Sequence, residues 1–405
     1  MEALEKVIQY VNSDELVSFT QQLIRIKSVF DPEVSGANEE KVAHFVADYL
    51  KKLGLEVHLN EAAPGRPNVI AYLNGQKPGK TLLMEGHTDV VTAGDPDEWT
   101  VDPFGGEIKD GRIYGRGSCD TKGNMAAAIF AAKAIKDSGI DFAGRILLCI
   151  PVDEESLMIG IKDFINKGWA DEVDAAIICE PEENQLCITQ RGALRIAIRV
   201  HGKMSHGAMP EAGINPNWGM AHVIMELEKL QQAEVERLGK HEHLGYPSIT
   251  PTILKAPAKG EAQINVIPKE CYTTLDIRTV PGQDHQVLIG QIQEILDRLT
   301  SERINFKATM EVIEERPWTL TDMNEPVVKA MAAAYEKITG KAPRYNGVPG
   351  ATDGTFLNAW KNIPIITTGA GDRLIPHQAD EYVDIDELVE ASQLFALSAL
   401  YYLND

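Results

Sequence analysis

Four apolar runs rich in Ile, Leu and Val, at 81–85, 145–150, 174–179 and 363–368, punctuate the chain. Runs of this length and composition predict buried strands of a parallel sheet. Each stops close to a residue that ligates metals well. The first leads to His87 and Asp89, the second to Glu154 and Glu155, the third to Glu180, and the fourth is followed by His377. In open α/β sheets the reactive groups collect beyond the carboxyl ends of the strands, so the four runs predict one shared site. Helical periodicity flanks them. Asn12 and Glu15 make a capping box for a helix carrying Leu16, Phe19, Leu23 and Ile26. Val42, Phe45, Tyr49 and Leu53 line a second helix that Gly54 stops. A glycine-rich turn at 115–124 feeds an alanine-rich helix that runs to Ser138 and Gly139, and its small residues suit close packing on the sheet.

Between about 190 and 314 the pattern changes. Apolar and polar residues alternate over 195–200, as on a half-exposed strand. Asn215-Pro216 is a cap followed by proline at the first helical position, opening a helix to about Leu230. Strands at 248–254 and 271–279, a helix at 286–299 and a strand near 306–313 complete a βαββαβ order. That order predicts a small ferredoxin-like module with one exposed sheet face. Strand and helix alternation resumes after Trp318, with a helix at 330–338 and a final helix at 385–402. The expected fold is α/β, a mixed and largely parallel sheet flanked by helices, formed by 1–189 and 315–405 and interrupted by an inserted α+β domain at 190–314. A chain of 405 residues is longer than one core usually grows, in keeping with two domains.

Composition narrows the chemistry. Against 39 Lys and Arg stand 60 Asp and Glu, a formal charge of −21, which argues against nucleic acid and anionic membrane as partners. No apolar run reaches the length of a membrane span, and the acidic start lacks the basic-then-apolar order of a signal peptide. Five cysteines, an odd number with no CxxC pair, fit reduced thiols and a cytoplasmic location.

The motifs together are specific. His87-Thr-Asp89, the turn 115–123 with Asp120, Asp153-Glu154-Glu155, Cys179-Glu180-Pro181 and His377 stand in the order and context of one family. From about residue 16 onward the chain resembles the dinuclear zinc hydrolases that include acetylornithine deacetylase, succinyl-diaminopimelate desuccinylase, carboxypeptidase G and aminoacylase. The resemblance implies a zinc-peptidase-like catalytic domain and two divalent ions per chain, zinc first, with cobalt or manganese as alternatives. It implies that Asp120 bridges them, that His87 and Glu180 complete one ligand set, and that Glu155 and His377 complete the other. Imidazole with carboxylate suits these metals, and one carboxylate can bridge two cations about 3.5–4 Å apart. Asp89 would orient His87, and Glu154 would be the general base that takes a proton from the attacking water. A cis peptide at Asp120–Thr121 is implied as well.

In the inserted domain, which the resemblance makes a lid and dimerisation domain, His206 matches a histidine that serves the neighbouring subunit's site in a homodimer. Asn265 and Arg278 match positions that hold a substrate carboxylate, and Arg191 and Thr352 match further substrate contacts. A guanidinium offers two parallel donors to a carboxylate. Ala351 stands where the family often has glycine, and Arg373 has two readings, a contact to an acidic substrate group or a pair with Asp372. The implied activity is hydrolysis of an amide bond beside a free carboxylate in a small N-acyl amino acid or short peptide. A deacylase ranks above a dipeptidase or carboxypeptidase. A metal-binding scaffold without catalysis is disfavoured by the intact Glu154, and a dinuclear phosphoesterase by the motifs' likeness to amide hydrolases.

Overall fold

The structure is a computed structural model that describes residues 2–405. The chain divides into two compact units, one of residues up to 188, 321–348 and 352–405, the other of 189–320 and 349–351. Among the described residues no helix is long and apolar enough to cross a membrane.

The four apolar runs are neighbours in the first unit. Ala143–Ile150, Lys77–Glu85, Ala175–Cys179 and Ile365–Thr368 lie side by side, all parallel. Antiparallel strands extend both margins. Arg66–Asn74 and then Glu56–Ala63 flank Ala143–Ile150, while Leu186–Gln190 follows Ile365–Thr368 and also pairs with Tyr345–Val348. Successive side chains on a strand point to opposite faces. Leu82, Met84, Ile146, Leu148 and Ile177 enter a core under the helices Ser13–Arg25, Glu40–Lys52, Lys122–Ser138, Pro326–Thr339 and Ile385–Leu403. Leu83, Leu147, Ala176 and Ile178 enter a second core with Phe164, Phe356 and Leu357 from the helices Ile159–Asn166 and Gly354–Lys361. Burial on both faces is why these strands read as continuous apolar runs rather than alternating ones.

The helix caps follow the residues read from the sequence. The Asn12 side chain accepts from the Glu15 backbone N–H, Asn215 does the same for Asn217, and Gly139 ends the alanine-rich helix at φ 63°.

The second unit holds an antiparallel sheet in the order Ser248–Lys255, Glu270–Thr279, Gly192–His201, Ala308–Arg316, with Pro216–Leu238 and His285–Glu302 as its helices. Leu194, Ile196, Ile198, Leu275 and Ile277 pack against Met220, Val223, Leu288 and Ile292. Glu270–Thr279 alternates strictly between buried and half-buried positions, the mark of a sheet covered on one side. The βαββαβ order is as expected, but the first helix runs to Leu238 rather than about Leu230.

Candidate metal centre

Parallel strands deliver their carboxyl ends to one edge, and the candidate residues follow directly from them. Lys77–Glu85 leads to His87 and Asp89, Ala143–Ile150 to Glu154 and Glu155, Ala175–Cys179 to Glu180, and Ile365–Thr368 to the loop that carries His377. Asp120 arrives on the turn that precedes Lys122–Ser138, and its peptide bond to Thr121 is cis. Gly117 in this turn has φ +87°, and a Cβ there would stand 2.7 Å from Val90 Cγ1, so both conformation and space call for glycine.

All seven first-unit residues assigned to ligation or catalysis come together. His87 Nε2 lies 3.2 Å from Asp120 Oδ1 and 3.9 Å from both Glu180 Oε1 and Glu154 Oε2. His377 Nε2 lies 3.0 Å from Glu155 Oε1 and 3.4 Å from Asp120 Oδ2. Asp120 thus presents one oxygen to each imidazole. One donor atom each from His87, Asp120 and Glu155 falls within 4.8 Å of the others. His87 Nδ1–H donates to the Asp89 carbonyl oxygen at 3.0 Å, with the Asp89 carboxylate at 3.4 Å, which leaves Nε2 free as a ligand atom. Asp89 has a second task that the sequence did not suggest. Its two carboxylate oxygens accept the backbone N–H groups of Glu154 and Glu155 at 3.1 and 3.0 Å, holding the two glutamates in register.

The electrostatics call for cations. Asp89, Asp120, Glu154, Glu155 and Glu180 crowd two imidazoles. Burial pushes the Glu154 and Glu180 carboxyls well above their ordinary range, and neighbouring carboxylates add to it. Glu155 rises for the same reasons. Burial alone would lower His87, but Asp120 and Asp89 raise it well above its usual value. Hydrogen bonds to Asp120 and Glu155 push His377 up to about 10. The buried Glu180 Oε1 has no hydrogen-bond partner among the described residues. A buried carboxylate oxygen without a donor is costly unless a cation satisfies it. Two imidazoles with a bridging and two flanking carboxylates form a donor set that fits two divalent ions.

The remaining candidates are placed as follows. Thr352 is buried, and its Oγ1 accepts the Gly354 N–H at 3.3 Å at the start of Gly354–Lys361. In the second unit, His206 is exposed on a two-residue ribbon with Val266–Ile267, and Asn265 adjoins it through the Gly207 N–H to Asn265 carbonyl bond of 2.7 Å. His206 Nδ1 accepts the Ala208 N–H at 3.0 Å. Arg191 donates to the Leu244 carbonyl, and burial with the nearby Arg278 charge lowers its pKa. Arg278 donates to both oxygens of Asp276, at 2.6 and 3.2 Å.

Sequence reading missed the groups that hold the site from behind. Glu381 is fully buried, and its Oε1 accepts the backbone N–H groups of Gly117, Cys119 and Asp120 at 3.0, 3.0 and 3.1 Å. Its Oε2 takes Arg116 Nη1 at 2.5 Å, and its carbonyl takes the Gly115 N–H. Arg66 bonds Glu39 and Asp153, the latter at 2.6 Å, fixing the residue before Glu154. Glu85 and Asp353 are fully buried carboxyls without hydrogen-bond partners, raised by burial, Glu85 to about 7. Position four residues after His377 was the one available pointer to Glu381.

Known proteins share this architecture along the whole chain. The chain is 25% identical to a probable succinyl-diaminopimelate desuccinylase of Staphylococcus aureus (strain N315), over 94% of this chain and 97% of that one. It is 27% identical to an N-formyl-4-amino-5-aminomethyl-2-methylpyrimidine deformylase of Bacillus subtilis (strain 168), over 97% and 95%. A dinuclear metal-binding peptidase of the M20 family from Bacillus subtilis superposes with a TM-score of 0.74 at 16% identity, over 96% of this chain and 98% of that one. Residues 83–400, which carry every ligand candidate from His87 to His377, match the model of peptidase family M20/M25/M40, and the chain belongs to that family.

Proposed function

We propose that this protein is a metal-dependent hydrolase that removes an acyl group from the nitrogen of a small amino acid derivative bearing a free carboxylate. The observation that carries the reading is the cluster of two imidazoles and five carboxylates beyond the carboxyl ends of four parallel strands. The desuccinylase and deformylase names of two relatives support acyl removal over peptide cleavage. We assign His87, Asp120 and Glu180 to one divalent ion and Asp120, Glu155 and His377 to the other, with zinc favoured by the nitrogen and oxygen donors. Such ions supply Lewis acidity toward a carbonyl and acidify water.

The chain's own residues supply the proton transfers. A Glu154 carboxylate oxygen takes a proton from the attacking water, and the resulting acid gives it to the leaving nitrogen. Burial raises its pKa, which strengthens the carboxylate as a base toward that water. Asp89 keeps the base in place through the backbone of Glu154 and Glu155. We assign Arg191, Asn265, Arg278 and Thr352 to substrate binding and His206 to the oxyanion, supplied from the second subunit of a homodimer. Five buried, unpaired cysteines suit a reducing compartment, and we place the enzyme in the cytoplasm.

Two measurements test the proposal. Elemental analysis after zinc loading and removal of free metal should give two ions per chain. A panel of N-acyl amino acids, dipeptides and phosphoesters should show turnover concentrated on the first group. Fewer than two ions per chain in folded, active protein overturns the metal assignment, and turnover confined to phosphoesters overturns the reaction class.

A further inference from the structure

Arg373, four residues before His377, has side-chain partners that its sequence position did not suggest. Asp372 is not its partner, because the Asp372 carboxylate accepts the Leu374 N–H at 2.8 Å. Its guanidinium instead points back into the first unit. Nη2 donates to Glu182 Oε2 and lies 3.8 Å from Cys187 Sγ, while Nη1 donates to the Gly347 carbonyl at 3.1 Å. The Glu182 side chain is only 4% exposed and that of Arg373 22%. Glu182 also accepts the Cys187 thiol at 3.5 Å, so the ion pair sits on the strand Leu186–Gln190. With one Nη on Glu182, the other on the Gly347 carbonyl and its charge matched by Glu182, this guanidinium is directed toward the protein.

The surroundings show what the pair holds. Backbone bonds from Glu182, Glu183 and Asn184 to the carbonyls of Gly369 and Gly371 lace the start of the loop to the segment just after Glu180. The far end is fixed where Asp380 accepts the Thr100 N–H and hydroxyl at 2.7 and 2.9 Å, and where Glu381 grips the Asp120 turn. Between these ends, Asp372, Leu374, His377 and Gln378 are exposed, and His377 has φ +68°, a region that side-chain-bearing residues seldom adopt. The His377 side chain is 53% exposed, so packing does little to fix its ring.

We propose that Arg373 is a positioning residue for the ligand His377, acting as a latch to Glu182 that fixes the loop across its exposed stretch. The inference rests on the metal assignment given above and deepens it. Because Glu182 is buried and held by backbone bonds of its own segment while the loop of His377 is exposed, loss of the latch should act chiefly on that loop. That loss weakens the ion held by Glu155 and His377 and spares the other.

The test is calorimetric zinc titration of metal-free protein, with thermal unfolding of the same samples. Outer partners of metal ligands typically govern about 10–100-fold in affinity. Arg373→Ala should lower the affinity of one site by about that range while the other keeps its wild-type value. Arg373→Lys, which can reach Glu182 but offers no planar fork to Gly347, should fall between the two. Arg373→Met combined with Glu182→Gln avoids a lone buried carboxylate and should reproduce the Arg373→Ala titration with metal-free stability near wild type. Equal losses at both sites overturn the latch, as do two unchanged sites. So does a raised KM for carboxylate substrates with both metal affinities intact, which would make Arg373 a substrate contact. Wild-type protein that binds fewer than two ions overturns the metal assignment itself, and the latch with it.

Discussion

Glu154 and Glu155 are adjacent, yet their side chains go in different directions and approach different imidazoles. Glu155 reaches His377 at 3.0 Å, and Glu154 turns toward His87 at 3.9 Å. Glu154→Gln preserves the shape and removes the base. It should retain both ions while kcat falls about 10²–10⁴-fold, checked by steady-state kinetics on metal-saturated protein. A kcat near the wild-type value would dismiss Glu154 as the base. At this scale the sequence was informative wherever a polar residue closes an apolar run, as His87 and Glu180 do. It was mute where a polar residue lies inside one. Glu85 is embedded in the run ending at His87, and Asp353 opens a helix, so neither breaks a pattern, although burial leaves both carboxyls without partners.

The same division holds for elements. Caps with a side-chain mechanism, such as Asn12, Asn215-Pro216 and Gly139, marked helix ends that the structure places at the same residues. The helix Pro216–Leu238 outran its expected end because its last turns carry Glu234, Glu236 and Arg237, whose polar faces show no apolar period. A small sheet of Glu107–Lys109, Arg112–Tyr114 and Tyr382–Asp384 went unread, since three residues are too few to display alternation. That sheet starts one residue after Glu381, whose carboxylate ties the Asp120 turn to the His377 loop. Glu381→Ala strands three backbone N–H groups and leaves Arg116, 2% exposed, without its counterion. Breaking a buried ion pair by removing one partner costs about 3–5 kcal/mol. Denaturant unfolding of the metal-free variant should show a loss of that size, and a loss below about 1 kcal/mol would mean the turn holds without Glu381.

At the scale of the molecule, the inserted unit poses the remaining question, which is why a hydrolase needs it. Ser248–Lys255 is an edge strand of its sheet, with Ile253 42% and Leu254 61% exposed, and an apolar edge of this kind invites pairing with a second copy. His206 stands exposed on its ribbon with Nδ1 already accepting the Ala208 N–H, so Nε2 remains to donate to an oxyanion. A trans arrangement makes a prediction that a cis one does not. Glu154→Gln chains lack the base but keep His206, and His206→Ala chains lack the histidine but keep the base. Each homodimer should be nearly inactive. In a hybrid, the site built on the His206→Ala chain receives an intact His206 from its partner, while the other site lacks both groups. An equal mixture at full exchange contains hybrids as half of its dimers, so activity should recover to about one quarter of the wild-type level. Mass spectrometry of differently tagged chains establishes that exchange has occurred. Activity that stays at the homodimer level after demonstrated exchange would show that His206 does not act across the interface.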